Sequence, residues 1–231
     1  MRSYFIIILL LILSMGCISS QVQTGNPADY ELPGIDNTTI YYLNGSSVQV
    51  VESVINETSF RIDPGENGEE NFKNPVAQDY SGKNVTFNIS KEVFFGRSYV
   101  HFDFESPFSG FVAYTQSDGQ DFVRTVTKNG SVRVVLPVNF TTGSRFLGIA
   151  QPEPDNITSD AYGRDVLIWD NPYPENGKIL VNYYHKSASG FLVYFGEFLF
   201  IAALLIWGYY YFSTRALKKK RERLEKGYRK P

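Results

Sequence analysis

The stretch Ser98–Glu105, SYVHFDFE, alternates between polar and apolar side chains over its whole length. Successive side chains of a β-strand point to opposite faces of a sheet, so the alternation places Val100, Phe102 and Phe104 on one face. A strand with one apolar and one polar face is typical of an antiparallel sheet that covers a core. The stretch therefore predicts a β-strand and makes a β-rich fold the first expectation.

The polar face of this strand carries three residue types that bind metals, His101, Asp103 and Glu105. Side chains at alternate positions of one straight strand spread over ~13 Å, which is too far for one ion. A solvated face opposite the apolar one accounts for all three residues. The sequence therefore predicts no metal site, and it contains no pattern that indicates another cofactor.

Short runs of β-branched and aromatic residues continue on both sides of this strand, without a sustained helical period. Asp121–Thr127 and Ser131–Val138 flank Asn129-Gly130, which predicts a hairpin because Asn-Gly favours tight turns. A last hairpin is predicted from Asp165–Trp169 and Lys178–Tyr184. The remaining predicted strands are Val85–Ile89, Gly110–Thr115 and Arg145–Ala150. The pattern predicts a mainly β domain, either sandwich-like or a partly closed barrel.

Residues 1–20 have the layout of a secretory signal peptide. A single Arg2 precedes the unbroken apolar run Phe5–Leu13, which is too short to cross a bilayer. Cys17, the only cysteine of the chain, follows Gly16 as in a lipoprotein signal, although Ser14 stands where such signals usually have an aliphatic residue. Lipidation of Cys17 and ordinary cleavage after small residues near Ser19 are both open. Either route predicts an exported domain without disulfide bonds.

Residues 189–212 form a second apolar segment, which predicts a transmembrane helix. Phe191–Phe212 has 22 residues and one charge, and as a helix it would measure about 33 Å, enough for a hydrocarbon core of ~30 Å. Residues 213–231 hold nine Lys or Arg against two Glu. This basic tail is expected to extend the helix, to stay in the cytoplasm and to attract anionic lipid headgroups. The predicted protein is a single-pass protein of the cell membrane with its N-terminal domain outside.

Glu197 is the one charged residue of the membrane segment. An ionised carboxylate is costly in a bilayer, so Glu197 is a candidate contact with a partner helix. The alternative is that Glu197 lies in the outer interfacial layer and reaches water.

The exported part divides into a polar tether at residues 21–37 and a β-rich ectodomain at 38–188. Residues 63–81 are rich in turn formers and acids, which predicts a break between a small N-terminal portion and the main body. Residues 18–190 hold 12 Lys or Arg against 21 Asp or Glu, so the ectodomain is acidic. Binding to nucleic acid is not expected.

Eight Asn-x-Ser/Thr sequons lie between the two apolar segments, which predicts a glycoprotein. Asn, Ser and Thr also favour turns, so some of these sites are expected to be structural turns. The candidate glycosylation sites are Asn37, Asn44, Asn56, Asn84, Asn88, Asn129, Asn139 and Asn156.

No phosphate-binding loop, zinc-protease motif, nucleophile elbow or cysteine pair occurs in the sequence, so nothing in it favours an enzyme and no catalytic residue is assigned. We therefore expect a cell-surface domain that acts by binding or as an accessory subunit of an envelope complex. Its expected partners are membrane lipids and another envelope protein or a surface glycan. Because a sequence does not give the separation of paired acids, a membrane-tethered hydrolase acting on surface glycans or peptides is the alternative.

The last third of the chain resembles an uncharacterised archaeal family, catalogued as domain of unknown function 5803. The resemblance rests on Val166–Pro172, Lys178–Tyr184, the apolar helix and the charged tail with Arg215 and Lys218–Arg221. It implies a lipoprotein-like signal, a β-rich exported domain and one C-terminal helix. It implies no activity, because the family has none assigned.

Overall fold

The structure is a computed structural model that describes residues 24–32, 37–62, 72–94, 97–117, 121–126, 128–143, 147–173 and 177–228. The predicted signal peptide with Cys17 lies outside these residues. As the sequence predicts, the chain is mainly β, with several sheets and one C-terminal apolar helix, and its described strands do not close into a barrel. The strands are β1 Thr38–Leu43, β2 Ser47–Ile62, β3 Lys73–Asp79, β4 Phe87–Phe94, β5 Arg97–Ser117, β6 Asp121–Thr125, β7 Ser131–Val135, β8 Phe140–Thr141, β9 Ile149–Gln151, β10 Asn156–Ser159, β11 Asp165–Trp169, β12 Lys178–Asn182 and β13 Tyr184–His185.

Eight strands form the large sheet, in the order β10-β11-β7-β1-β2-β5-β3, with β4 paired to the outer part of β5. Its neighbours are antiparallel except β1 and β7, which are parallel. The small sheet has the order β6-β12-β9, and β8 pairs with β13. The stretch Ser98–Glu105 lies within β5, so the predicted strand is confirmed as part of a strand of 21 residues.

The main core lies between the inner face of the large sheet and the small sheet. Phe102 and Val50 from the large sheet and Phe122, Ile179 and Val181 from the small sheet belong to one buried cluster. Burying a large apolar side chain contributes about 1.5–3 kcal/mol, so this interface is the main source of stability. The sandwich-like alternative of the prediction therefore describes the packing better than a barrel does.

The hairpin predicted around Asn129-Gly130 does not form. β6 pairs with β12 in the small sheet, whereas β7 pairs with β1 and β11 in the large sheet. The chain crosses between the sheets at residues 126–130, so the turn residues serve a crossover. Val134 of β7 lies between Tyr41 of β1 and Leu167 of β11, so neither edge of β7 is left for pairing with β6.

The predicted last hairpin is also wrong. β11 pairs with β7 and β10 in the large sheet, and β12 pairs with β6 and β9 in the small sheet. Trp169 and Ile179 both face the core, from the two sheets, because each strand is apolar enough to cover one side of it. The Arg145–Ala150 prediction lies partly outside the described residues and overlaps β9 at Ile149 and Ala150, and the Val85–Ile89 prediction shifts to β4.

The expected tether and the expected break both contain ordered structure. Residues 24–32 include a 3-10 turn at Pro27–Asp29, and Tyr30 is buried against Val51 and Phe111 on the outer face of the large sheet. The Tyr30 hydroxyl donates to the carbonyl oxygen of Asn74 at 2.7 Å. β3 lies inside the predicted break at 63–81 and pairs with β5, while β1 and β2 are central strands of the same sheet. The N-terminal portion is thus part of the main body.

The sheets and the connections between them, up to Tyr184, are called the β unit below. The two ends of the β unit differ in what they connect. Ser47 of β2 pairs with Ser117 of β5, and β6 begins close by at Asp121. Asn182 of β12 pairs with Asp121, so the chain leaves the β unit at this end, called the exit end below. The opposite end, called the far end, contains the start of β1.

The chain divides between Tyr184 and His185 into two compact units. The second unit is one helix, α1, over Ala188–Tyr228. The predicted membrane segment 189–212 and most of the predicted tail are therefore one continuous helix. The part Ala188–Leu224 is long and apolar enough to cross a membrane, with a mean hydropathy of 2.0 in its most apolar window.

Candidate functional site

The polar face of Ser98–Glu105 becomes part of a three-strand surface on β2, β5 and β4. Asp103 pairs with Ser59 on one side and with Asn88 on the other. Its two carboxylate oxygens accept hydrogen bonds from the hydroxyls of Ser59 (2.8 Å) and Ser90 (3.1 Å). Asp103 thus joins the three strands on their solvent side.

His101 on the same face pairs with a carboxylate of the neighbouring strand. Its Nε2 lies 2.8 Å from Oε2 of Glu92, and the Arg61 guanidinium stacks on Tyr99 at 4.1 Å from the ring centre. Among the described residues no group of three His, Cys, Asp or Glu side chains is placed to hold a metal ion. The contacts on this surface are cross-strand pairs of side chains, which stabilise a sheet.

All eight sequon asparagines lie in described residues, and all eight are exposed. Asn37, Asn56 and Asn139 have left-handed φ values of +52°, +55° and +67°, a conformation that Asn tolerates better than most residues. Turn geometry therefore accounts for the residue type at these three positions. It does not account for Asn88 and Asn156, which lie in extended strands.

The sequons are unevenly distributed over the β unit. Asn44 lies in the turn between β1 and β2, and Asn139 follows the end of β7, so both are at the exit end. The other six lie at or towards the far end. No strand of the small sheet contains a sequon.

The outer face of the small sheet presents apolar side chains instead. Val123 of β6 pairs with Leu180 of β12, and Ile149 of β9 pairs with the next outward residue, Asn182. Val123 and Ile149 are each 41% exposed, whereas Ile179 and Val181 on the inner face are fully buried. This outer face, Val123, Leu180 and Ile149, is called the small-sheet face below.

An ionic cluster that the sequence patterns did not predict lies at the edge of the core. Glu52 accepts a hydrogen bond from the Tyr114 hydroxyl (3.1 Å) and lies 3.0 Å from Nζ of Lys128. Lys128 also lies over the Phe60 ring, at 4.7 Å from its centre. The sequence feature that could have revealed Glu52 is its spacing. It lies two residues from each of the buried Val50 and Val54, and therefore on the same face of β2. The ion pair fastens the crossover at residues 126–130 to β2.

The electrostatics of this cluster keep the neighbouring phenols neutral. Burial is the main cause, and the nearby Glu52 carboxylate adds to it, so the pKa values of Tyr41 and Tyr114 are both raised. Phenols of this kind donate hydrogen bonds but do not ionise near neutral pH. With Glu52 already paired, the cluster has the features of a structural network.

A surface groove of about 290 Å³ lies between β3, β4 and the middle of β5, and its lining includes Asp79, Phe104, Glu105 and Phe108. Asp79 Oδ1 accepts hydrogen bonds from the Ser81 hydroxyl (2.7 Å) and from the backbone N–H of Ser81 and Lys83. These bonds, with that of the Ser81 hydroxyl foremost, lower the pKa of Asp79. A carboxyl group with a lowered pKa is ionised near neutral pH, so Asp79 has no proton to donate as the general acid of a hydrolase.

Glu197 is exposed on α1, nine residues after its start. At 1.5 Å per residue it lies about 13 Å along the helix. Aromatic residues follow towards the other end of the apolar part, where the rings of Trp207 and Tyr211 stack at 5.7 Å. Arg215 then lies over Tyr211 at 4.7 Å from the ring centre. This order of groups is typical of a membrane helix that ends in an aromatic and basic border.

No curated protein matches the chain. A family model described as a family of unknown function (DUF5803) matches residues 72–228. The match begins just before β3 and ends at the last residue of α1, so it takes in most of the β unit together with the helix. Covering more than half of the 231 residues, it shows that the chain belongs to the DUF5803 family of unknown function.

Proposed function

We propose that the protein is an exported, glycosylated β domain that is anchored to the cell membrane by α1 and acts by binding a partner in the cell envelope. The observation that carries the proposal is the exposure of all eight sequon asparagines on the β unit, together with the cluster of basic residues that follows the apolar part of α1. Glycans are added on the exported side, and Lys and Arg clusters stay on the cytoplasmic side.

The sequons are concentrated away from the point at which the chain leaves the β unit. The chain enters α1 from the exit end of the β unit, and most sequons lie at or towards the far end. Residues 24–32 also lie at the exit end, because the Gln49 side chain near the start of β2 donates a hydrogen bond to the carbonyl oxygen of Asp29.

The small-sheet face is the surface that best fits contact with a partner protein. Its strands carry no sequon, and Val123 and Ile149 expose apolar area next to the half-buried Leu180. Protein interfaces use apolar centres that bulky glycans would obstruct. Glu197 would supply a second contact, within the membrane, if the partner is itself a membrane protein.

The test of topology uses intact cells that make the full-length chain with a peptide tag after Pro231. External protease is expected to remove the β unit and leave the tagged tail protected. Mass spectrometry of the purified chain is expected to find N-glycans on the sequons and to show whether the mature chain begins at a lipidated Cys17. A tail that is digested in intact cells would contradict the orientation.

The test of binding is quantitative co-purification from native membranes in mild detergent. Val123→Lys places a charge in the small-sheet face and is expected to lower recovery of a stoichiometric partner about tenfold or more, since a buried unpaired charge is costly at an interface. Ile55→Lys, at a residue that is 55% exposed beside the sequon Asn56, is the matched control. Recovery that is equal in the two variants would remove the small-sheet face from the proposal.

The role of Glu197 is tested in the same experiment. Glu197→Leu is expected to lower recovery of a membrane partner, whereas Leu199→Ala, on a different side of the helix, is expected to leave it unchanged. A chain that purifies alone, with its glycans in place, would contradict the accessory-subunit role.

A further inference from the structure

The two open edges of the large sheet each contain a sequon. Among the described residues, β4 pairs only with β5 and β10 pairs only with β11, so these strands end the sheet on its two sides. Asn88 is the second residue of β4, and Asn156 is the first residue of β10. Both asparagines are exposed.

Both edges are suited to pairing with another chain. β4 is eight residues long and alternates apolar Phe87 and Ile89, which pack on the core, with polar residues. On β10 the side chain of Ile157 is 55% exposed. An edge strand with apolar positions is a template for pairing with a second copy, more so for the eight residues of β4 than for the four of β10. Proteins usually carry a feature that prevents such pairing.

The third potential edge is closed by the chain itself. β3 ends the other part of the sheet, but the Val85 N–H donates to the carbonyl oxygen of Ala77 at 2.9 Å and Asn84 forms a bridge with Gln78. The segment after β3 thus covers its outer side. β4 and β10 are left as the edges that need another device.

The sequon pattern fits an extended strand. In Asn-x-Ser/Thr the first and third residues share a face, and the middle residue points the other way. In β4, Asn88 and Ser90 lie on the solvent face opposite Asp103 and His101, while Ile89 packs against the core. A glycan on Asn88 or Asn156 would therefore leave from one face of the terminal strand, and such a bulky group would extend over the adjacent open edge along which a second copy would have to pair.

We propose that N-glycans on Asn88 and Asn156 guard the two edges of the large sheet against pairing with a second copy of this chain. The inference rests on the glycosylation that is part of the proposed function. Because β4 and β10 lie on opposite edges, pairing of one copy's β4 with the next copy's β10 would be head-to-tail and open-ended.

The experiment uses the full-length chain, made in a host that adds high-mannose N-glycans and purified in mild detergent. The variant Asn88→Gln/Asn156→Gln removes the two edge sites. The control Asn44→Gln/Asn139→Gln removes two sites in connections of the exit end, where no strand edge is exposed by the loss. Light scattering is expected to show at least about a twofold rise in protein mass per particle for the edge variant, the increase of a dimer or larger assembly, and no change for the control.

A second measurement avoids any folding defect of the variants. Endoglycosidase is applied to the folded wild-type chain and to the folded control variant, and the same rise in protein mass per particle is expected for both. Loss of glycans at Asn88 and Asn156 without any change in particle mass would overturn the edge-guard role and leave glycosylation intact. A wild-type chain without glycans on these two residues would overturn the edge-guard role alone, and a chain without a glycan on any sequon would overturn the proposed glycosylation as well.

Discussion

Several well-placed carboxylates of this protein each hold a turn or a strand pair. Asp79 accepts three hydrogen bonds in the turn after β3, and Asp103 joins β2, β5 and β4 through two serine hydroxyls. Arg164 forms a two-point contact with Glu31, at 3.0 and 2.7 Å, and a bond of 2.5 Å with Asp160. The Arg164 contacts fasten the N-terminal segment to the β10–β11 turn. Each of these charged groups holds neighbouring segments of the chain together, which is a structural role.

The turn at Asp79 predicts a pH dependence of stability. The pKa of Asp79 is lowered in the folded protein, so the unfolded chain binds the proton more readily. The carboxylate therefore stabilises the fold above the unfolded pKa of about 3.9, and this contribution is lost as the pH falls through the lower folded value. Asp79→Asn is expected to melt below wild type at pH 7.

Thermal melts of both chains between pH 7 and pH 2.5 check this prediction. The difference in melting temperature is expected to shrink below about pH 4. The exposed Glu153, changed to Gln, is the control. A difference between Asp79→Asn and wild type that stays constant over the whole range would show that the charge of Asp79 is not the cause.

At the scale of elements, β5 organises the large sheet. It runs for 21 residues, pairs along one side with β2, and on the other side pairs first with β4 and then with β3. Its pairing with β2 is irregular between Val54 and Ser59, which bends the pair where β4 gives way to β3. Gly110 lies at that change of partner, directly opposite Asp79.

Gly110 predicts a measurable cost for any larger residue. A Cβ at this position would lie 2.2 Å from the carbonyl oxygen of Gln78, which is backbone of the paired strand and cannot rotate away. Gly110→Ala is therefore expected to lower the free energy of unfolding by about 1–3 kcal/mol, in the range of overpacking. Denaturant unfolding followed by circular dichroism measures the change.

Gly177→Ala is the matched control for Gly110→Ala. Among the described residues, no atom lies within 4 Å of a Cβ built at Gly177 apart from its chain neighbours, so the stability of Gly177→Ala should change little. Equal losses in the two variants would mean that the close approach of β3 and β5 does not limit the fold.

At the scale of the whole molecule, the β unit contains its own core and α1 contains the apolar surface suited to a membrane. Trp169, Phe102 and Leu167 are among the side chains that are buried within the β unit, whereas Leu205 and Phe212 on the helix are 70% and 69% exposed. Exposed apolar area of that extent on one helix is stabilised by lipid in a membrane protein. The β unit therefore supplies the folded core, and α1 is long and apolar enough to serve as the proposed anchor.

This division predicts the behaviour of a chain that ends at Ser187 and carries Cys17→Ser to remove the candidate lipid site. The truncated chain is expected in the aqueous fraction, with the circular dichroism of a β protein and a cooperative melt. The full-length Cys17→Ser chain is expected to stay with the membrane. Release of that full-length chain by salt would contradict anchoring by α1.

The truncated chain with Cys17 retained separates the two candidate anchors. If Cys17 is lipidated, this chain stays with the membrane although α1 is missing, because a lipid chain contributes about 0.8 kcal/mol per buried CH₂. If the signal peptide is cleaved after small residues instead, the chain is released. The comparison therefore decides between the two routes that the residues around Cys17 leave open.

The sequence by itself determined the properties that depend on local pattern. The alternation in Ser98–Glu105 predicted a strand, the apolar run at 189–212 predicted a helix, and both are present because period and burial are linked over a few residues. The sequons were also readable, since the motif is local.

Only the tertiary structure decided which strands are neighbours. Asn129-Gly130 signals a turn, but a turn can join two strands of one sheet or carry the chain to another, and here β1 and β11 occupy both edges of β7, so the chain crosses to the other sheet. The pairing of Glu52 with Lys128 and the position of Asn88 on an open edge follow from the same long-range choice. A local pattern contains no information on partners that are tens of residues away, because their pairing is selected by the packing of the whole core.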